Sequence, residues 1–184
     1  MTHAPEPELS NPALSLQRMR LADADEWAEY AVLPEVRRFT SSTATSAEDL
    51  VNVIDRSLGT ESASPVLFAV RSRPGGRLVA TVGFHSVMPH YRTAEITYDV
   101  RPDCWGRGIA TEACRAAVRW GFAVRGWVRI QGTAQEGNLA SLAVLRKCGF
   151  RYEGRLRNFR IVRGVPCDYL LFATIPSDLA EDAR

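Results

Sequence analysis

The chain has 184 residues, 46% hydrophobic and 24% charged, with a formal net charge of +2. That length and apolar content fit one globular domain able to fill a core. Near-neutral charge argues against bulk nucleic-acid binding, and with no apolar run long enough to span a bilayer, no membrane helix is expected.

In chain order, residues 1–12 hold three prolines and two glutamates and read as a flexible tail, not a signal peptide. A cytoplasmic protein is therefore expected. Leu14 to Arg20 alternates like a strand. Ala22 to Ala31 reads as a helix with Asp23 a candidate N-cap, and Ser46-Ala47-Glu48-Asp49 opens a second helix to about Leu58. Pro65 to Arg71 and Leu78 to Ser86 flank Pro74-Gly75-Gly76 and read as a hairpin. Ala94 to Val100 is the next strand. Gly108 to Val124 places apolar residues at 109, 113, 117 and 120, a helical period facing a sheet. Val128 to Thr133 is a strand and Asn138 to Lys147 a helix. Phe150 to Leu156 and Cys167 to Thr174 are late strands around a turn at Arg163-Gly164-Val165-Pro166. One domain over 13–176 is expected, with 177–184 a C-terminal tail.

The most informative stretch is Val100 to Ala113, V-R-P-D-C-W-G-R-G-I-A-T-E-A. A strand stops at Pro102, and Gly106-Arg107-Gly108 leads into the long helix. Glycines lack Cβ, so backbone N–H groups can curl around an anion, and a helix start adds unsatisfied donors. A pyrophosphate is the expected ligand. The Walker A pattern is absent, and a dinucleotide fingerprint would need Gly or Ala at 111, where this chain has Thr111.

Two motifs in order carry a family resemblance. Trp105-Gly106-Arg107-Gly108-Ile109-Ala110 is similar to the acyl-CoA pyrophosphate loop, with Trp105 in place of the usual first Gln or Arg. Asn138-Leu139-Ala140-Ser141 is followed by a short helix and Gly149-Phe150. The chain resembles the GNAT (GCN5-related) N-acetyltransferase superfamily, RimJ/RimL-like branch, from about Ser15 to Ile175. The resemblance implies an α+β fold: a mixed, mostly antiparallel sheet flanked by helices, with an acyl-CoA cleft between splayed strands. It also implies acetyl transfer from acetyl-CoA directly to an amine.

Such a reaction must remove a proton from the amine and stabilise both the oxyanion and the departing thiolate. Glu95, on the strand entering the loop, is the first candidate for the base. Alternation sets Glu95, Thr97 and Asp99 on one face. Asp99 and Glu153 are the second and third choices. Ser141 is the candidate hydrogen-bond donor to the sulfur, and it can also cap its helix together with Asn138. The resemblance places the cofactor along Tyr98, Asp99, Val100, Trp105, Gly106, Arg107, Gly108, Ile109, Ala110, Asn138, Ser141 and Lys147. A backbone N–H near Val100 would meet the oxyanion, and Arg107 and Lys147 would meet phosphates.

Cys104, Cys114, Cys148 and Cys167 form no C-x-x-C pair and lie far from the histidines, so neither a metal site nor disulfides are expected. Of the 23 basic residues only Lys147 is lysine. Arg146, Lys147, Arg151, Arg155, Arg157, Arg160 and Arg163 face a single acid, Glu153. The preferred reading is a solvated strand-and-turn face, and the sharper one a patch for an acidic substrate or ribosomal RNA. Trp27, Tyr30, Phe39, Phe84, Tyr91 and Tyr98 read as core more than acceptor groove. Asp168 either orients an amine or caps the last hairpin.

The leading reading is an N-acetyltransferase acting on a protein N-terminus or a small amine, with a homodimer possible through late strands. Its rivals are an acyl-CoA-binding module with little turnover and a dinucleotide-binding protein.

Overall fold

The computed structural model describes residues 5–181. Seven strands form one sheet in the order β1-β2-β3-β4-β5-β7-β6. They are β1 (Leu14–Arg18), β2 (Val66–Ser72), β3 (Leu78–Met88), β4 (Thr93–Val100), β5 (Arg129–Gln135), β6 (Arg151–Val162) and β7 (Val165–Thr174). The helices are α1 (Ala24–Ala31), α2 (Pro34–Arg37), α3 (Ala47–Ser57), α4 (Ile109–Arg125), α5 (Leu139–Lys147) and α6 (Pro176–Glu181). The expected mixed, mostly antiparallel sheet flanked by helices is the architecture observed.

Each element follows from its residues. Ser46 caps α3 by accepting from the Asp49 N–H at 3.2 Å, and the Asp49 carboxylate accepts the Ser46 N–H in return. Alternation along β2 sends Leu67 and Ala69 to one core, with Trp27, Tyr30, Leu50 and Ile54 of α1 and α3. Phe68 and Val70 go to the other, with α4 and α5. In that second core Trp120 and Trp127 pack around Phe84, the Phe84–Trp127 centroids lying 4.6 Å apart.

Most strands are antiparallel, but β4 and β5 run parallel. Their pairing covers three rungs, Thr93↔Arg129, Ala94↔Ile130 and Glu95↔Gln131. Beyond Glu95, β4 continues against β3 alone and β5 against β7 alone. The sheet therefore splits down its middle from Ile96 onward.

Several expectations are corrected. Asp23 does not cap α1 through its side chain. Its carboxylate accepts the Arg20 N–H at 2.8 Å, closing a 3-10 turn (Leu21–Asp23), and pairs with Arg71 at 2.8 Å. β6 runs six residues past Leu156, through Asn158 at φ 50°. The short helices α2 and α6 were not anticipated, and α6 falls in the stretch read as a tail. It starts where Asp178 accepts the Ile175 N–H at 3.0 Å and pairs with Arg151 at 2.9 Å. At the other end residues 1–4 lie outside the described residues. From Pro5 onward the segment read as flexible is tied to α4: Trp120 Nε1 donates to the Pro5 carbonyl at 2.6 Å, and Ser10 and Asn11 donate to Glu112.

Candidate active site

The split and the glycine turn meet at the end of β4. Pro102 terminates the strand in a 3-10 turn, and Gly106 (φ 75°) and Gly108 (φ 77°) take left-handed backbone angles that other L-residues adopt only with strain. A Cβ on either glycine would meet nothing within 4 Å, so this edge of the turn is open. Helix α4 begins at Ile109 with no side-chain cap. The N–H groups of Ile109, Ala110 and Thr111 precede the first helical bond, Glu112 N–H to the Gly108 carbonyl at 3.0 Å. Three donors, a helix start and the exposed Arg107 suit a pyrophosphate.

The free edge of β4 can be oriented. The Arg101 N–H donates to the Val79 carbonyl on β3 at 2.9 Å. Adjacent residues of a strand point their polar groups to opposite sides, so the Val100 N–H faces the split. Its carbonyl does too, and it accepts from Trp105 Nε1 at 2.7 Å. The tryptophan standing where the family pattern has Gln or Arg thus braces the loop against the strand end. By the same alternation the Ile96 and Tyr98 amides line the split, an edge that an extended amide chain can join as a strand.

Opposite Tyr98 sits the start of α5. Asn138 caps it, its Oδ1 accepting the Ser141 N–H at 3.1 Å. The Tyr98 hydroxyl lies 2.8 Å from Ser141 Oγ and donates to the Ser141 carbonyl at 3.2 Å. Burial drives the Tyr98 phenol far above its usual pKa, so it stays protonated as a donor. Gly132 on β5 allows this approach: a Cβ there would lie 2.7 Å from Leu145 Cδ2 of α5.

On the opposite face of β4, Glu95 is 4% exposed. Its Oε1 accepts from Thr133 at 2.6 Å and from Arg160 of β6 at 2.7 Å, while Gln131 reaches Oε2 only at 3.4 Å. One carboxylate oxygen is thus fully engaged and the other nearly free. His85 pairs with Glu95 across the β3–β4 ladder, and burial lowers its pKa, reinforced by Arg160 and opposed by Glu95. An unprotonated imidazole therefore stands beside the carboxylate. Arg160 also donates to Ser41 Oγ at 3.3 Å, so it connects the split to the segment after α2.

The remaining candidates are placed as follows. Asp99 shares the face of Glu95, but its carboxylate accepts from Tyr30 at 2.7 Å and Trp27 at 3.1 Å, and burial raises its pKa. By the same alternation its N–H and carbonyl face β3, so the polar groups of Asp99 do not line the split as expected. Glu153 of β6 is committed to a two-pronged pair with Arg129 of β5 at 2.8 and 2.6 Å. Lys147 ends α5 beside the first turns of α4, where its carbonyl accepts from Arg115 at 2.5 Å and Cys148 reaches the Thr111 carbonyl at 3.5 Å. Asp168 accepts from the Asn158 N–H at 2.8 Å and pairs with Arg155, holding the late hairpin. The sequence reading missed the partners of Glu95. Thr133, Gln131, His85 and Arg160 lie on three other strands, and no local spacing links them.

No group of three His, Cys, Asp or Glu among the described residues is placed to hold a metal, and no described helix is long and apolar enough to cross a membrane. A half-open parallel junction beside an open glycine turn, with a carboxylate at its closed end, suits acyl transfer from coenzyme A. The model of the acetyltransferase (GNAT) domain matches residues 13–151, and the chain belongs to this family as an acetyl-CoA-dependent N-acetyltransferase. It is 28% identical over 172 residues to the N-acetyltransferase p20 of Bacillus licheniformis, across 91% of this chain and 95% of that protein. Its fold matches ribosomal-protein-S5-alanine acetyltransferase from Vibrio fischeri with TM-score 0.82 at 18% identity, covering 92% and 96% of the two chains. Mycobacterium smegmatis RimJ in complex with CoA-disulfide matches at 0.80 and 23%, covering 93% and 90%. Spermidine N-acetyltransferase from Vibrio cholerae with CoA and spermine matches at 0.80 and 18%, covering 92% and 99%.

Proposed function

We propose that the acetyl group passes to a primary amine within the split between β4 and β5, and that the acceptor is a protein N-terminal α-amine or a small-molecule amine. The single observation behind the placement is Glu95: a buried carboxylate at the last rung before the strands part, with one oxygen nearly free. In this reading the turn from Trp105 to Ala110 holds the pyrophosphate, with Arg107 and Lys147 at the phosphates. The pantetheine amides lie along the Tyr98–Val100 edge as an added strand.

The amine nitrogen attacks the thioester carbonyl, and its proton passes to Glu95 Oε2, directly or through water. The Val100 N–H donates to the oxyanion. As the C–N bond forms and the C–S bond breaks, the thiolate takes a hydrogen bond from Ser141, whose hydroxyl is backed by Tyr98. Thr133 and Arg160 position the carboxylate.

The test is thiol release from acetyl-CoA over a panel of acceptors: peptides beginning with Ala, Ser or Met, polyamines, free amino acids and aminoglycosides. Release with one acceptor class supports transfer. No release with any acceptor, by protein that binds CoA, moves the reading to an acyl-CoA-binding module.

A further inference from the structure

The late hairpin does more than close the sheet. Arg163 at its tip donates to the Arg37 and Arg38 carbonyls, the latter at 3.2 Å, while Arg160 reaches Ser41 and Glu95. These contacts bring β6 and the end of α2 together on the Glu95 side of the split. Arg37, Arg38 and Arg163 are thereby brought together on the side of the split that Arg160 and Glu95 occupy. None has an ion pair among the described residues. Arg38 lies over the Phe39 ring at 5.0 Å, and the Arg37 Nε is buried with no hydrogen-bond partner. The next stretch of the rim differs: Arg155 there is neutralised by Glu136 at 3.2 Å and Asp168 at 2.7 Å. Glu95 itself is already balanced by Arg160.

A mouth of this charge repels a polycation and attracts a carboxylate. It also favours the neutral form of an incoming amine, the form that attacks. The arrangement of arginines therefore points to a specific acceptor chemistry. We propose that the acceptor carries a carboxylate within a few bonds or residues of its amine, held by Arg38 and Arg163 with Arg37 behind them. The proposal rests on the reading of the split as the transfer site. Two sources share this chemistry: a peptide N-terminus followed by Asp or Glu, and a free amino acid or similar small acid.

The experiment compares kcat/KM for matched C-terminally amidated peptides Ser-Asp-Glu, Ser-Ala-Gln and Ser-Lys-Arg, for free glutamate and for spermidine, at low and high salt. The expected order is acidic over neutral over basic, by about fivefold per step, narrowing as salt screens the rim. Arg163→Gln should lower the acidic-to-neutral ratio. Arg38→Glu, an exposed position whose reversal spares the hairpin contacts, should lower that ratio further and raise the rate with the basic peptide. Glutamate outperforming the peptides would assign the small-acid source, and the reverse order the protein source. Equal rates with acidic and basic peptides, or a ratio unmoved by Arg38→Glu, would overturn the proposal while transfer itself stands. Silence from every acceptor would instead remove the reading on which it rests.

Discussion

Glu95→Gln tests the site most directly. Oε1 lies 2.7 Å from Arg160, whose side chain is 27% exposed against 5% for Glu95. At an effective dielectric near 20, unit charges at that distance attract by about 332/(20 × 2.7), roughly 6 kcal/mol, before the opposing desolvation. Removing one partner of a buried pair costs about 3–5 kcal/mol, and the exposure of Arg160 puts this pair at the lower end, about 3 kcal/mol. In a domain of this size that lowers Tm by about 6–12 °C. Loss of a general base lowers kcat by about 10²–10⁴. Arg160→Gln breaks the same pair but keeps the carboxylate, so its Tm should fall similarly while kcat falls less than about tenfold. The assay is thiol release at saturating acetyl-CoA, run on both variants well below their melting points with folding checked by circular dichroism. Folded Glu95→Gln protein turning over within about threefold of the parent would refute the assignment of the base.

Other perturbations reach the remaining parts of the site. Gly108→Ala puts a Cβ on a residue at φ 77°, at a cost of about 1–2 kcal/mol if the loop keeps its shape, so CoA binding by calorimetry should weaken about tenfold. Ser141→Ala retains the Asn138 cap but removes the donor proposed for the sulfur, so kcat should drop about tenfold with little change in Tm. Gly132→Ala places a methyl 2.7 Å from Leu145, and the displaced α5 should lower Tm by several degrees, about 1–3 kcal/mol, and reduce kcat together with it. Tyr30→Phe removes a hydrogen bond to the Asp99 carboxylate worth about 1.5–3 kcal/mol. The folded-state pKa of Asp99 is already raised by burial, so this site's contribution to stability is fully present below the unfolded pKa and declines as pH rises through the folded one. Without the Tyr30 donor the charged form is worse still. Thermal melts should therefore show a gap between variant and parent that widens from pH 4 to pH 7.

The residues alone specified what is local in the chain. The glycine turn, the helix that follows it, the Asn138 cap and the alternation of β4 are each set by neighbours within a few positions. Backbone sterics, capping and period act at that range, so they were legible as motifs and carried the family and its cofactor. The shared face of Glu95, Thr97 and Asp99 followed from the same alternation. What only the tertiary structure decided are the partners. Arg160 lies 65 residues from Glu95 and Tyr98 lies 43 from Ser141. The Asp99 carboxylate stood as the second candidate for the base until Trp27 and Tyr30, about 70 residues away, closed over it. The arginine run of the late hairpin read as solvated because its neighbours in sequence are solvated. Folding brings part of it against α2, and only then does one stretch of the patch hold unpaired charge while the next is neutralised. Pairing across a sheet depends on strand order and register, and these are fixed by the whole core, not by any segment of it.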